Sequence, residues 1–311
     1  MIGNLDFPYT VPYRAIYAVA DGGVGGVENT NGTEGIDDPR RVEIIEFSRC
    51  YGGSAWARYH YAKSPLVLAT KTIGDTVRYL CRVGEHDLAL EASHAAAGIR
   101  RVAVDGKEIA ITYVGLGGGG VGATTCRAGA GGVIRSEVSE SGGGKVGSGT
   151  IVVPRRSRLI VGIDDTDSKE VGATWCLAHN IAEAVDCDYA RYLSHSIVQL
   201  YPVPEKTQNC VSTALEFACL NGGAERVLAQ IRDLLIEYSV SGETGMVALT
   251  GFDGSVLADY GRACKSGVLT REYALECAGD AGVNVWLDGN GVIGALGAIP
   301  YVAMPDESVV L

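Results

Sequence analysis

The sequence predicts a mixed α and β protein, in which an N-terminal α+β unit joins an α/β domain through a glycine-rich segment. Short runs of alternating and β-branched residues fill residues 1–114, which is typical of strands. Glycine dominates residues 115–157, and strands alternate with amphipathic helices over residues 158–311. Because 311 residues suffice for two domains, we predict three regions with these limits.

The first region is predicted to consist mainly of strands. These are "YRAIYAVA", "RRVEIIEFSRC", "PLVLATKTI" and "IRRVAVDGKEIAITYVGL". In the last of them Asp105 and Gly106 separate two apolar runs, which indicates a β-hairpin. "GDTVRYLCRV" and "LALEASHAAA" fit short helices. The aromatic and basic stretch after Arg49 and Cys50 is this region's best candidate for a ligand surface, although a half-exposed strand is the simpler interpretation.

The glycine-rich region contains "GLGGGGVGATTCRAGAGG" and "SESGGGKVGSG". Glycine loses much backbone entropy on folding and offers no side chain to pack, so we expect no long regular element here. Two interpretations stay open: a linker between domains, or a loop whose backbone amides face a phosphate.

The third region reads as alternating strands and helices. "SRLIVGI", "HSIVQLYPV", "CVSTALEFACL", "GMVALTG" and "VNVWLDG" are predicted strands. "TWCLAHNIAEAV", "AERVLAQIRDLLIEYS" and "TREYALECAG" have the apolar spacing of helices.

Composition restricts the cellular setting and the partners. The net charge of −11 argues against broad contact with a nucleic-acid backbone. Nine cysteines without a Cys-x-x-Cys pair favour reduced thiols over a zinc site or a disulfide framework. The N-terminus lacks a signal-peptide pattern, and no apolar run reaches the roughly 20 residues of a membrane span. We therefore predict a cytoplasmic protein without a membrane anchor.

Residues 158–185, "RLIVGIDDTDSKEVGATWCLAHNIAEAV", carry the main functional signal. Asp164, Asp165 and Asp167 follow an apolar strand, and carboxylates are ligands that Mg²⁺ prefers. Gly172 and Thr174 then open a helix whose free amides attract phosphate. The loop is therefore compatible with a metal and nucleotide site. The alternative is that its Asp and Ser residues only cap the helix and close a turn.

Three segments resemble a known family. "GIDDTDS" resembles the kinase domain of the archaeal agmatinylcytidine synthetase that modifies an isoleucine tRNA. "LYPVPEKTQNCVSTALEF" and "DGNGVIGALGAI" are similar to later segments of that domain, in the same order. The complete chain looks most like the methanogenesis marker protein 11 family of methanogenic archaea. This resemblance implies a kinase-like, nucleotide-binding domain over residues 158–311.

The resemblance also implies site residues. Phosphoryl transfer from ATP with Mg²⁺ depends on positioning and charge neutralisation. The implied metal ligands are Asp164, Asp165 and Asp167, which together with Lys206 form the implied catalytic set. The implied cofactor-binding residues are Thr166, Ser168, Gly172, Thr174 and Thr207.

Other positions depart from the family pattern. Trp175 replaces a threonine, and Val292 stands where arginine is expected. Gln208, Asn209 and Cys210 replace Arg, Gly and Asn, which removes a bidentate phosphate contact. The acceptor end of the site is therefore expected to differ.

The leading functional hypothesis is an ATP- and Mg²⁺-dependent phosphotransferase or activating enzyme acting on a small-molecule or protein acceptor. The resemblance implies assembly, modification or activation of methyl-coenzyme M reductase, with that enzyme or its maturation proteins as partners. A tRNA substrate is not expected, because the chain is acidic and lacks the family's oligonucleotide-binding barrel and zinc module. A non-catalytic nucleotide-binding accessory factor is the alternative, and a metal-binding structural protein is a third.

Nearby histidines and thiols have simpler interpretations. His179 and His195 could act as acid–base groups, but hydrogen-bonded structural roles are commoner. Cys176 and Cys210 are of the type that usually packs as small buried residues. Glu205 fits a surface ion pair of little energetic weight.

Overall fold

The computed structural model describes residues 12–22, 40–204, 206–207 and 209–311. The start of the chain, Glu205 and Gln208, on which some predictions fell, lie outside the described residues. The chain divides into two compact units, Met1–Arg156 and Ser157–Leu311. Both contain helices and strands, which confirms the predicted mixed α and β class. The three-region limits drawn from the sequence stay a prediction.

The first unit is built on one sheet. Its strands run in the order β3-β4-β2-β1-β9-β7-β6-β5, with β8 also paired to β9. The strands are β1 Tyr13–Ala20, β2 Arg41–Ser48, β3 Val67–Ile73, β4 Thr76–Arg82, β5 Gly84–Glu85, β6 Ala97–Asp105, β7 Glu108–Leu116, β8 Arg135–Val138 and the first part of β9 Val146–Asp164. The helices are α1 Tyr51–Tyr61, α2 Gly117–Ala123 and α3 Thr125–Ala128.

Three local predictions in this unit are wrong. The segment "LALEASHAAA" forms no helix: it contains an isolated bridge between Glu91 and Ala95 and enters strand β6 at Ala97. The segment "GDTVRYLCRV" forms strand β4, not a helix, because its alternating residues pair with β2 and β3. The stretch after Cys50 forms helix α1, not a half-exposed strand: Ser54, Ala57 and Tyr61 share its buried face. The hairpin at Asp105 and Gly106 is confirmed, since Asp105 pairs with Glu108.

The glycine-rich segment differs from the expectation of an irregular chain. It contains α2, α3 and β8, and it enters the long strand β9 at Val146. A side chain at Gly120 would place a Cβ 2.7 Å from the carbonyl oxygen of Gly115, so glycine lets α2 lie directly on β7. Arg127 of α3 is buried and pairs with Glu46 of β2. Regular structure is possible here because close backbone approach and a buried ion pair replace ordinary side-chain packing.

The second unit has a five-stranded sheet in the order β10-β11-β9-β12-β13, and all of these pairings are antiparallel. Its further strands are β10 Ala190–Gln199, β11 Val211–Cys219, β12 Gly245–Thr250 and β13 Asn284–Asp288. Its helices are α4 Thr174–Val185, α5 Gly223–Tyr238, α6 Ala258–Ser266, α7 Arg271–Asp280, α8 Val292–Ala298 and α9 Pro305–Ser308, with 3-10 turns at Gly254–Leu257 and Ile299–Ala303.

Strand β9 is the centre of this unit, between two helical layers. Leu159, Val161 and Ile163 belong to the core with α4 and α5, whereas Ile160 belongs to the core with α6, α7 and α8. This alternation is the period of two expected for a strand covered on both faces. The end of β9, at Asp164, therefore lies between the two layers.

No helix in the described ranges combines the length and apolar composition that a membrane crossing requires. All nine cysteines are free thiols, and three of them, Cys81, Cys219 and Cys264, are buried.

Candidate functional site

The acidic loop begins where β9 ends. Asp164 is paired with Gly245 of β12, and the chain then turns sharply at Asp165, whose φ is +54°. This left-handed conformation is unusual for a residue other than glycine, although Asp tolerates it better than most. The Asp165 amide donates to Oδ1 of Asp164 at 2.9 Å. The two neighbouring carboxylates are thus fixed in one turn.

Hydroxyl groups hold the third aspartate against helix α4. Oγ1 of Thr174 accepts from the amide and the hydroxyl of Thr166, both at 3.1 Å, and lies 3.3 Å from Oδ1 of Asp167. Thr207 Oγ1 donates to Oδ2 of Asp167 at 3.4 Å. Thr166 is only 2% exposed. Thr166 and Thr174 therefore lie in the interior of the loop. Each carboxylate oxygen of Asp167 is in hydrogen-bond contact with a threonine hydroxyl, of Thr174 or of Thr207.

The aspartates do not cap helix α4. The residue before the helix is Ala173, and among the described residues no side chain bonds to the helix's first amides. The capping interpretation is therefore wrong, whereas turn closure holds for Ser168, whose Oγ accepts from the amides of Glu170 and Val171 at 3.2 Å each. Within the described part of the chain, the N-terminal end of α4 keeps amides without an intrahelical or side-chain partner, which favours a nearby anion.

The loop lines a cleft of about 980 Å³, and the described residues that line this cleft belong to the second unit. Most of the predicted site residues line it: Asp164, Asp165, Asp167, Gly172, Thr174, Lys206 and Thr207. Thr166 and Ser168 are not among the lining residues. The structure thus brings together residues that are up to 43 positions apart in the predicted site, from Asp164 to Thr207.

Exposed apolar side chains also line the cleft. Ile197, Tyr201 and Val268 line it, although they are 36%, 40% and 70% exposed. Trp175, 48% exposed, lies beside the open end of α4. Clustered exposed apolar side chains are typical of a ligand or partner surface. One cleft therefore contains the acidic loop, exposed apolar side chains and the further charged residues Lys206, Arg271 and Glu272.

Sequence reasoning missed the contribution of helix α8. Gly294 and Ile293 line the cleft, and a Cβ at Gly294 would lie 1.9 Å from Oδ2 of Asp164. Glycine is therefore required for the Asp164 carboxylate to occupy its position. The glycine-rich run "GVIGALGAI" was the available signal, but sequence alone did not show which glycine contacts the loop.

Replacement of Gly294 by alanine is expected to lower the free energy of unfolding by about 1–3 kcal/mol, because overlapping atoms must move apart. Gly279→Ala in α7 is the matched control, since a Cβ there has no neighbour within 4 Å. Urea denaturation of both variants measures the difference. Equal stability of the two variants would contradict the packing of Asp164 against Gly294.

The electrostatics of the loop favour a bound cation. Burial raises the pKa of the Asp164 carboxyl well above its usual range, and Asp165 and Asp167 raise it further. The pKa of Asp165 is also raised, first by burial and then by Asp167 and Glu243. Because each ionised carboxylate disfavours its neighbour, a divalent cation among them would offset the repulsion.

The donor set fits a magnesium ion that arrives with a nucleotide. In the described part of the chain no three His, Cys, Asp or Glu side chains come together in an arrangement ready to hold a metal. Mg²⁺ usually takes one or two carboxylates and completes its shell with phosphate oxygens and water. Asp164, Asp165 and Asp167 supply such oxygens at the cleft, beside the open end of α4. This arrangement suits a metal ion shared between the protein and a bound phosphate group better than a structural metal ion held by protein side chains alone.

The two candidate histidines lie away from the cleft lining. The imidazole rings of His179 and His195 are stacked, with their centroids 5.9 Å apart, and His179 Nδ1 lies 3.2 Å from the hydroxyl of Tyr192. His195 contacts the hydroxyl of Thr213. Burial and, to a smaller extent, the neighbouring His179 together lower the pKa of His195 to about 4. These contacts support the structural interpretation of both residues.

The shifted histidine predicts a loss of stability in acid. Between pH 6.5 and about 4 the unfolded chain binds a proton at His195 that the folded chain does not, so stability falls as the pH falls. The full shift corresponds to at most about 3 kcal/mol. His195→Gln should therefore lose less stability than the wild type between pH 7 and pH 4.5 in urea titrations. Parallel curves would contradict the prediction.

Comparison with known proteins identifies the family. Residues 160–232, from β9 into α5, match the TiaS TCKD domain, which confirms the predicted resemblance of this region. The chain is 39% identical over 278 residues to the uncharacterized protein MJ0921 of Methanocaldococcus jannaschii, covering 88% of this chain and 92% of that protein. The chain belongs to the family of this protein.

Solved structures similar to the chain include three of TiaS. They are a TiaS–tRNA(Ile2)–ATP complex (24% identity, TM-score 0.42), apo TiaS, a tRNAIle2 agmatidine synthetase (21%, 0.40), and a TiaS–tRNA(Ile2)–AMPCPP–agmatine complex (22%, 0.39). Each match covers 46% of this chain and 35–36% of the solved chain. This chain therefore spans about a third of the length of the proteins in those structures.

Proposed function

We propose that the cleft binds ATP with Mg²⁺ and that the protein transfers a phosphoryl group from ATP to an acceptor. The observation that carries this proposal is that three carboxylates and the open N-terminal end of α4 line one cleft. Asp164, Asp165 and Asp167 would hold the metal, which supplies charge neutralisation at the phosphates. The amides near Gly172 and Thr174 receive phosphate oxygens.

The remaining predicted residues position these groups. Lys206, at the cleft, places a positive charge where phosphate would lie. Thr207 and Thr174 hold Asp167 by their hydroxyls. The match of residues 160–232 to the TiaS TCKD domain supports the same assignment. Phosphoryl transfer depends mainly on positioning and charge neutralisation, and these residues are of the types that supply both.

The acceptor is proposed to contact the exposed apolar side chains of Ile197, Tyr201 and Val268 in the cleft. These side chains are uncharged, which favours an acceptor with an apolar or aromatic face over a phosphodiester backbone. A small molecule or a protein side chain fits this description. Two of the three TiaS structures contain tRNA, which runs against the expectation drawn from the acidic charge, so tRNA belongs among the acceptors to be tested.

The cellular setting is part of the proposal. The resemblance to the methanogenesis marker protein 11 family supports a role in the assembly, modification or activation of methyl-coenzyme M reductase. A non-catalytic nucleotide-binding accessory factor is the second candidate. The observation favouring it is Cys210, which lines the cleft where the related enzymes are expected to carry a polar residue.

Calorimetry with ATP, with and without Mg²⁺, tests the proposal. We expect binding that strengthens markedly when Mg²⁺ is present. ³¹P NMR of ATP in the presence of candidate acceptors then separates the two functions, because only a phosphotransferase yields a phosphorylated product. Absence of any nucleotide binding would contradict both functions.

A further inference from the structure

Residues outside the cleft hold the backbone of the acidic turn. Thr244 directly precedes β12, whose first residue, Gly245, pairs with Asp164 at the end of β9. This register places Thr244 beside Asp165. Oγ1 of Thr244 lies 3.0 Å from the carbonyl oxygen of Asp165 and is largely buried, since the residue is 9% exposed. Thr244 is not among the residues that line the cleft.

A second hydroxyl extends this contact. Oγ of Ser239 lies 2.5 Å from Oγ1 of Thr244 and 3.1 Å from the carbonyl oxygen of Thr166. The same Thr166 carbonyl also accepts from the amide of Val240 at 3.0 Å. Two consecutive carbonyl groups of the loop, at Asp165 and Thr166, are therefore bonded to the segment that leads into β12.

Counting the hydroxyl protons restricts the direction of these bonds. Each hydroxyl carries one proton, and one of the two protons must lie between the close oxygens of Ser239 and Thr244. If Ser239 donates to Thr244, then Thr244 donates to Asp165, and the Thr166 carbonyl keeps its bond from Val240. The reverse direction would leave the Asp165 carbonyl without this partner. The first arrangement satisfies both carbonyls. The Thr244 hydroxyl has a second acceptor, the carbonyl oxygen of Ser241 at 3.3 Å, but the Asp165 carbonyl is nearer at 3.0 Å, so we assign Thr244 as the donor to Asp165.

We propose that Thr244 is a positioning residue for the metal–nucleotide site: its hydroxyl holds Asp165 in the left-handed conformation that directs the carboxylate into the cleft. A residue other than glycine relaxes towards negative φ unless its surroundings prevent it. At Asp165 the preventing contacts are the bond from its own amide to Asp164 and the bond from Thr244 to its carbonyl. This inference rests on the proposed function, since it assigns the turn a role in binding.

The test compares Thr244→Val, Thr244→Ser and the wild type by calorimetry with ATP and Mg²⁺. Valine keeps the shape of threonine but removes the donor, and serine keeps the hydroxyl. We expect Thr244→Val to weaken Mg²⁺-dependent ATP binding by about 10–100-fold, as loss of a group that orients a metal ligand does, and Thr244→Ser to bind nearly as the wild type does. Thr250→Val, at the exposed opposite end of β12, is the control and should bind normally.

A crystal structure of Thr244→Val without nucleotide supplies an independent readout. We expect φ of Asp165 to leave the left-handed region while strand β12 stays in place. Normal binding by Thr244→Val, or an unchanged Asp165 in its structure, would overturn the inference and leave the proposed function standing. Failure of the wild type to bind ATP with Mg²⁺ would overturn the proposed function, and the inference with it.

Discussion

Asp165→Asn is expected to weaken Mg²⁺-dependent ATP binding by at least about 100-fold while making the folded protein more stable. Binding falls because a neutral amide is a far poorer magnesium ligand than a carboxylate. Stability rises because the raised pKa of Asp165 shows that its charge is unfavourable in the fold. Asparagine also accepts the left-handed conformation readily. Calorimetry and thermal unfolding at pH 7 measure the two effects.

The combination of weaker ATP binding and higher stability distinguishes a binding role of Asp165 from general disruption of the loop. A variant that merely disturbed the loop would lose both affinity and stability. Asp280→Asn, at the exposed end of α7, removes the same charge away from the cleft and should change neither property. Unchanged magnesium-dependent affinity in Asp165→Asn would remove Asp165 from the proposed site.

Arg127→Met is expected to destabilise the first unit by about 3–5 kcal/mol, the typical cost of leaving a buried charge without its partner. Arg127 and Glu46 are each 1% exposed and are joined by two hydrogen bonds of 2.7 and 2.9 Å. The guanidinium also lies 4.4 Å from the rings of Tyr13 and Tyr113. Methionine fills much of the volume but leaves the Glu46 carboxylate buried and unpaired. Urea denaturation followed by circular dichroism measures the loss.

A double variant separates the lost charge pair from lost packing. Glu46→Leu combined with Arg127→Met removes both charges, so it should be considerably more stable than Arg127→Met alone. Arg14→Met is the surface control: its partner Asp75 is also partly exposed, and such pairs contribute at most about 1 kcal/mol. If Arg127→Met were as stable as Arg14→Met, the buried pair would not hold the glycine-rich segment.

The strand, loop and helix around the aspartates could be predicted because their signals are local. An apolar run predicts the end of β9, and the apolar spacing after Thr174 predicts α4. Thr244 and Gly294 could not be found in this way. They reach the loop only through the pairing of Gly245 with Asp164 and the packing of α8, which depend on register and tertiary contacts.

The errors in the first unit have a similar cause. Strand β4 was predicted as a helix because a short apolar run fits either period, and only its two neighbouring strands decide. The glycine-rich segment is predicted to be irregular because its composition shows only that few side chains are available for packing. It does not show that Gly120 lies against the backbone of Gly115, or that Arg127 finds Glu46 in the core.

A crystal structure of the protein with Mg²⁺ and a non-hydrolysable ATP analogue tests the central claim most directly. We predict that the phosphates lie at the N-terminal end of α4 and that Mg²⁺ contacts carboxylates of Asp164, Asp165 or Asp167. An analogue bound elsewhere, or a cleft in which these three carboxylates face only solvent at saturating analogue, would contradict the account.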